Sequence, residues 1–95
     1  MKIYYNNENL KEIKGKVLLK FGAPWCGPCR MLNPVLDILS TEIEIIDINI
    51  DEFENLSNEY GIRSVPTLVF LNDGIEQDRI VGNTSKEKIL EKYNS

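Results

Sequence analysis

An α/β fold with a mixed central sheet flanked by helices follows from three features of this 95-residue sequence. Short β-branched runs alternate with helical patterns through the first two thirds, which implies parallel strands joined by crossovers. Two later runs meet at the tight turn Asn72-Asp73-Gly74, which implies an antiparallel hairpin. The chain then closes on a segment opened by Thr84-Ser85-Lys86-Glu87, a capping-box pattern. The expected order is β-α-β-α-β-α-β-β-α, in one domain over residues 1–95.

Each element has its own reason. KIYY (2–5) reads as a first strand, and Asn6 or Asn7 offers an N-cap for a short helix ending near Gly15. KVLLKF (16–21) reads as a second strand. A helix should start at the cysteines, because Leu32, Val35, Leu36 and Leu39 fall on one helical face. Pro34 lies inside that helix and should kink it. EIEIIDINI (42–50) is isoleucine-rich and reads as a buried strand. Asp51 then caps a helix through Tyr60, with Phe53, Leu56 and Tyr60 on one face and Gly61 as its stop. PTLVFL (66–71) and IEQDRIVG (75–82) form the hairpin.

Composition narrows the function. There are 15 acidic against 11 basic residues, a net charge of −4, and no basic cluster, so nucleic acid is not an expected partner. No apolar run approaches the ~20 residues of a membrane helix. The opening MKIYYNNENL lacks the apolar stretch of a signal peptide, so a cytoplasmic location is expected. Thiols there are mostly kept reduced, which makes two cysteines catalytic or metal-binding rather than a staple.

Those two cysteines are Cys26 and Cys29, in WCGPC. On a regular helix such a pair is too far apart for a disulfide, since i and i+3 Cβ atoms lie ~5–6 Å apart. With Cys26 at the N-cap, outside helical dihedrals, the sulfurs can meet. Gly27 gives the backbone freedom there, and Pro28 fits the first turn. Cys26 then faces free backbone N–H groups and the positive end of the helix dipole, which favour its thiolate. Cys29, one turn inside, should be more buried and keep its proton longer. Zinc wants four nitrogen or sulfur ligands. With two cysteines and no histidine, a zinc site would need a second chain.

WCGPC, Val65-Pro66-Thr67 and Val81-Gly82, in order along nearly the whole chain, resemble the thioredoxin family. The resemblance implies a mixed sheet between helices and reduction of protein disulfides. It implies that Cys26 attacks, Cys29 resolves, and no tightly bound cofactor takes part. A thioredoxin reductase and disulfide-containing client proteins are the implied partners, and the chain is expected to be a monomer. Val65-Pro66 matches the family's cis-proline, whose exposed backbone can pair with an extended substrate. Gly82 matches a glycine that lets substrate approach, although an ordinary turn glycine would look the same. Trp25, Ile50, Val65, Pro66 and Val81 would form an apolar patch around Cys26. The Gly27-Pro28 pair resembles the reducing branch of the family. An oxidase or isomerase, or a binding subunit that leaves its thiols unused, are the alternatives.

Two positions depart from that resemblance. Where most thioredoxins carry a buried aspartate near the resolving cysteine, this chain has Lys20. Where a lysine usually faces it from the next strand, this chain has Asp47. The strand period puts Leu18 with Lys20, and Ile43 and Ile45 with Asp47, on inward faces. A paired lysine and aspartate would satisfy each other there. In that arrangement Asp47 takes the base role toward Cys29, and Lys20 holds Asp47 ionised and lowers the thiol pKa values. The other reading is that Lys20 snorkels to solvent and Asp47 is an exposed strand residue. The second departure is Gly22, where a bulky aromatic often stands. Its absence is expected to remove packing and loosen the cover over the site.

Overall fold

A computed structural model describes residues 2–95. Strands β1 (Lys2–Tyr4), β2 (Lys16–Gly22), β3 (Ile45–Asn49), β4 (Thr67–Asn72) and β5 (Ile75–Val81) form one sheet in the order β1-β3-β2-β4-β5. β1, β3 and β2 run parallel, and β4 and β5 run antiparallel to their neighbours. Helices α1 (Gly27–Leu39), α2 (Glu54–Glu59) and α3 (Lys86–Tyr93) complete the fold. No helix among the described residues is long and apolar enough to cross a membrane.

The strand period builds two cores, one on each face of the sheet. Leu18, Ile45, Leu68 and Phe70 meet Leu32, Leu36 and Leu39 of α1 and Ile89 of α3. Val17, Leu19, Phe21, Ile46, Ile48 and Val69 point the other way, toward Leu10, Phe53, Leu56 and Tyr60. β2 pairs with β3 on one side and β4 on the other, so its residues from Val17 to Gly22 are all buried. Lys20 is among them, on the α1 face, and is only 4% exposed.

Four local expectations need correction. The first expected helix is a single 3-10 turn, Leu10–Glu12, capped by Asn9 rather than by Asn6 or Asn7. Within that turn Leu10 is buried, and Ile13 after it is only partly buried, too little apolar surface to hold a longer helix. The helix expected from Asp51 starts instead at Glu54, and its N-cap residue Phe53 makes no side-chain cap. Phe53 takes that place because its ring packs edge-on against Tyr5, with centroids 4.7 Å apart. The last helix is capped one residue later than the motif suggests: Ser85 accepts from the Lys88 N–H at 3.1 Å. Glu87 therefore falls one position short of the reciprocal place in a capping box. The isoleucine-rich strand is Ile45–Asn49, shorter than the run 42–50, because Glu42 and Ile43 bond back to Leu39 and close α1.

Candidate active site

Cys26 is the N-cap of α1, with extended dihedrals (φ −85°, ψ 108°). Its Sγ accepts the Cys29 N–H at 3.1 Å, and the two cysteines are joined by a disulfide with Cα atoms 5.2 Å apart. Pro28 occupies the first turn of α1, where a missing N–H costs nothing. Gly27 does not need its freedom: its φ lies outside the left-handed region and its surroundings are open. Both cysteines are buried, Cys29 slightly more than Cys26. They share the apolar cluster of Ala23, Ile50 and Val65, and the larger asymmetry lies in what surrounds each beyond it.

On the Cys26 side the surface is apolar and open. Cys26 Sγ lies 3.6 Å from the Val65 carbonyl oxygen, and the Val65-Pro66 bond is cis. The Gly82 N–H donates to the Pro66 carbonyl at 2.8 Å, which ties the end of β5 to the start of β4. Gly82 holds φ at 91°, a conformation that favours glycine, while the space around it is empty. Backbone shape, as well as room for a partner, therefore explains glycine at 82. Val81 pairs with Thr67, beside Pro66, and is 61% exposed. Ile50 and Val65 pack against the cluster of Ala23, Cys26 and Cys29. Trp25 is 62% exposed, and its Nε1–H donates to Asp51 at 2.7 Å.

Asp51 is thus an anchor for the tryptophan, a role its place in the sequence concealed. The sequence showed only a carboxylate between a strand and a helix, which is the usual signal of a helix cap. The end of β3 brings it to Trp25 across the sheet, and no spacing rule encodes that meeting.

On the Cys29 side the surroundings are charged and enclosed. Lys20 and Asp47 are register partners on β2 and β3, and Lys20 Nζ lies 3.6 Å from Asp47 Oδ2. The reading of Lys20 as a snorkelling residue is thereby excluded: its ammonium turns inward and also donates to Asn33 of α1 at 2.8 Å. Lys2 contributes a second ammonium, 3.6 Å from the same Asp47 oxygen and 3.0 Å from Asp37. Burial holds the Lys20 ammonium below the usual lysine range, with Asp47 partly opposing the shift. Lys2 lies above that range, raised by its bond to Asp37 and the charge of Asp47 against an opposing burial effect.

Gly22 belongs to this side. A Cβ there would lie 3.0 Å from Lys20 Cε, 3.2 Å from Cys29 Sγ and 3.3 Å from Lys20 Nζ. Its missing side chain therefore makes room for the lysine beside the disulfide. A cavity of about 340 Å³ opens here, lined by Lys2, Lys20, Gly22, Arg30, Asn33 and Asp47 among others. The sequence reasoning missed Lys2 and Asn33. Lys2 stands at the far end of the chain, and Asn33 is an ordinary polar residue within an amphipathic helix.

The geometry has the layout of a redox pair at a helix N-terminus, and the comparisons agree. The sequence profile described as Thioredoxin matches residues 3–95. The chain belongs to the thioredoxin family. It is 42% identical to a thioredoxin of Rickettsia felis over 82 residues, covering 82% of this chain and 78% of that protein. It is 42% identical to a thioredoxin of Synechocystis over 93 residues, covering 90% of this chain and 87% of that one. A solved mutant thioredoxin of Halobacterium salinarum superposes with a TM-score of 0.90 at 31% identity, covering 98% of this chain and 88% of that one. The protein is a thioredoxin-fold protein-disulfide oxidoreductase that works by dithiol–disulfide exchange through its C-x-x-C pair.

Proposed function

We propose that the two cysteines divide the exchange between them, Cys26 attacking and Cys29 resolving. In the reduced protein the Cys26 thiolate sits at the helix N-terminus, where the Cys29 N–H and the helix dipole favour its charge. It attacks one sulfur of a client disulfide, and the other client sulfur leaves as a thiolate that takes up a proton. Cys29 then loses its proton and attacks Cys26 Sγ. The Cys26–Cys29 bond forms, the mixed disulfide breaks, and the second client thiol departs. Two electrons pass from the dithiol to the client. The state with Cys26 and Cys29 joined is the product of that cycle.

The observation that carries this assignment is the placement of Cys26 at the rim of the apolar surface while Cys29 faces the enclosed charges. Trp25, Ile50, Val65, Pro66, Val81 and Gly82 would receive an extended client segment, with the Val65 backbone as its pairing edge. Gly27 and Pro28 would form the exposed lip over which the client disulfide arrives. Asp47 would accept the Cys29 proton, directly or through water in the cavity, while Lys20 holds Asp47 in place. A thioredoxin reductase would return the pair to the dithiol. The protein would act as a single-domain monomer in the cytoplasm, on disulfide-containing client proteins.

The experiment is to expose the Cys29→Ser variant to an oxidised client and look for a stable mixed disulfide. Accumulation of an adduct through Cys26 is the expected result. Adduct formation through Cys29 in the Cys26→Ser variant at an equal rate would reverse the assignment.

A further inference from the structure

We propose that Gly22 and Lys20 act on Cys29 as one device: the side chain absent at 22 leaves a gap across which the Lys20 ammonium stabilises the Cys29 thiolate once the disulfide opens. This deepens the reading of Cys29 as the resolving thiol and rests on it.

The first support is steric. The point where a Gly22 Cβ would stand is 3.2 Å from Cys29 Sγ and 3.3 Å from Lys20 Nζ. The ammonium and the sulfur therefore both border the space that a methyl group at 22 would fill. Gly22 has no left-handed φ, so turn geometry does not demand glycine there. The room it leaves is its evident contribution.

The second support is the way the lysine is held. Asn33 accepts from Lys20 Nζ at 2.8 Å, and Asn33 stands one helical turn beyond Cys29, on the same face of α1. That bond keeps the ammonium on the cysteine side of the sheet. A lysine ammonium has three donors. Asn33 and Asp47 engage it here, and a newly formed thiolate can compete for it.

The third support is charge balance. Around Lys20 and its cavity stand Asp47 from β3, Lys2 and Tyr4 from β1, Asn33 and Arg30 from α1, Tyr5 and the exposed Glu52 on the cavity wall, and the apolar Leu68 from β4. Asp37 pairs with Lys2 and its charge also reaches Lys20, but its side chain is 63% exposed. In the disulfide state, among the described residues, the ammonium groups of Lys20 and Lys2 share the mostly buried carboxylate of Asp47. A Cys29 thiolate supplies a second negative charge. Cys29 is 1% exposed, and an anion so buried is unfavourable unless an opposite charge is close. Burial already disfavours the Lys20 ammonium, so the two charges relieve each other.

The test follows the titration of Cys29 by its 13Cβ chemical shift in a Cys26→Ser background, with iodoacetamide alkylation as a second readout. Lys20→Met should move the titration to higher pH and slow alkylation at neutral pH on the order of tenfold. Lys20→Arg, which keeps the charge, should restore much of the loss. Gly22→Ala should shift the titration in the same direction by less, and adding it to Lys20→Met should change little further. If Lys20→Met does not fold, Lys20→Gln carries the same readout, because it retains a donor for Asn33. An unmoved Cys29 titration in a folded Lys20 variant overturns the proposal. So does strict additivity of the Gly22 and Lys20 effects. Failure of the underlying reading looks different: the Cys29→Ser adduct would then not accumulate, whatever residue stands at 20.

Discussion

The two sides of the disulfide solve opposite problems. On the Cys26 side, apolar and backbone groups lie open: Trp25 and Val81 are more than half exposed, and the Val65 carbonyl stands beside the sulfur. On the Cys29 side, Lys20, Asp47, Lys2 and Asn33 interlock along the wall of a cavity, with the Lys20 side chain buried. The open side can only affect which proteins approach and how well they bind. The enclosed side can only affect where protons and charge reside. This chain follows the family pattern on the first side and departs from it on the second.

This contrast can be broken most sharply at the thiols. Cys26→Ser should abolish reduction of insulin disulfides, and Cys29→Ser should stop turnover while leaving the first attack intact. A Cys29→Ser protein with sustained turnover would mean that the enclosed side has no part in the cycle.

Next in size is Asp47→Asn. Resolution of a preformed Cys26 mixed disulfide by Cys29 should slow at pH 7 by roughly tenfold or more, within the range of general-base catalysis. The difference should close at high pH, where solvent hydroxide takes the proton. Stopped-flow measurement of Trp25 fluorescence can follow it, because Trp25 is the only tryptophan in the chain. Unchanged rates across the pH range would remove Asp47 from the mechanism.

The open side should respond more weakly and in a different parameter. Trp25→Ala is expected to cost about 1 kcal/mol in kcat/KM toward protein clients, mostly through KM, by loss of an exposed aromatic contact. Asp51→Ala should do part of the same, since it frees the indole from its 2.7 Å hydrogen bond. Neither change should alter the reaction with a small disulfide that touches only Cys26. Equal losses toward small and large disulfides would show that the tryptophan acts on the thiol instead.

The smallest expected effect is on stability at alkaline pH. Lys20 has a folded pKa below its ordinary value of 10.5, so the folded chain releases its proton earlier than the unfolded chain. Where the unfolded chain binds more protons, stability rises with pH. Approaching pH 10.5 from below, the wild type should therefore gain stability relative to Lys20→Met, as read by urea denaturation. A constant gap between the two proteins over that range would mean that Lys20 is not held down by burial.

Much of this was legible in the chain. The alternation of Val17, Leu19 and Phe21 with Leu18 and Lys20 set the two faces of β2, because strand periodicity is a local property. Cys26 at the N-cap is the placement that lets the two sulfurs meet, and Pro28 in the first turn follows from its fixed φ and missing N–H. Local signals failed where a competing contact outweighed them. Asp51 carries a cap signal, yet it bonds Trp25 while Phe53 packs on Tyr5 and takes the start of α2. Asn6 and Asn7 carry the same signal, yet the segment after them buries Leu10 and only part of Ile13.

The sequence by itself determined the order of elements, the inward period of each strand and the thiol pair at a helix start. These rest on neighbours within a few residues of one another, where backbone preference and side-chain period act directly. It took the folded arrangement to bring Lys2 and Lys20 together at Asp47, to tie the lysine to Asn33 on the Cys29 side, and to leave the space at Gly22 against both lysine and sulfur. Those relations join β1, β2, β3 and α1, and they exist only once the sheet order has brought the four elements together.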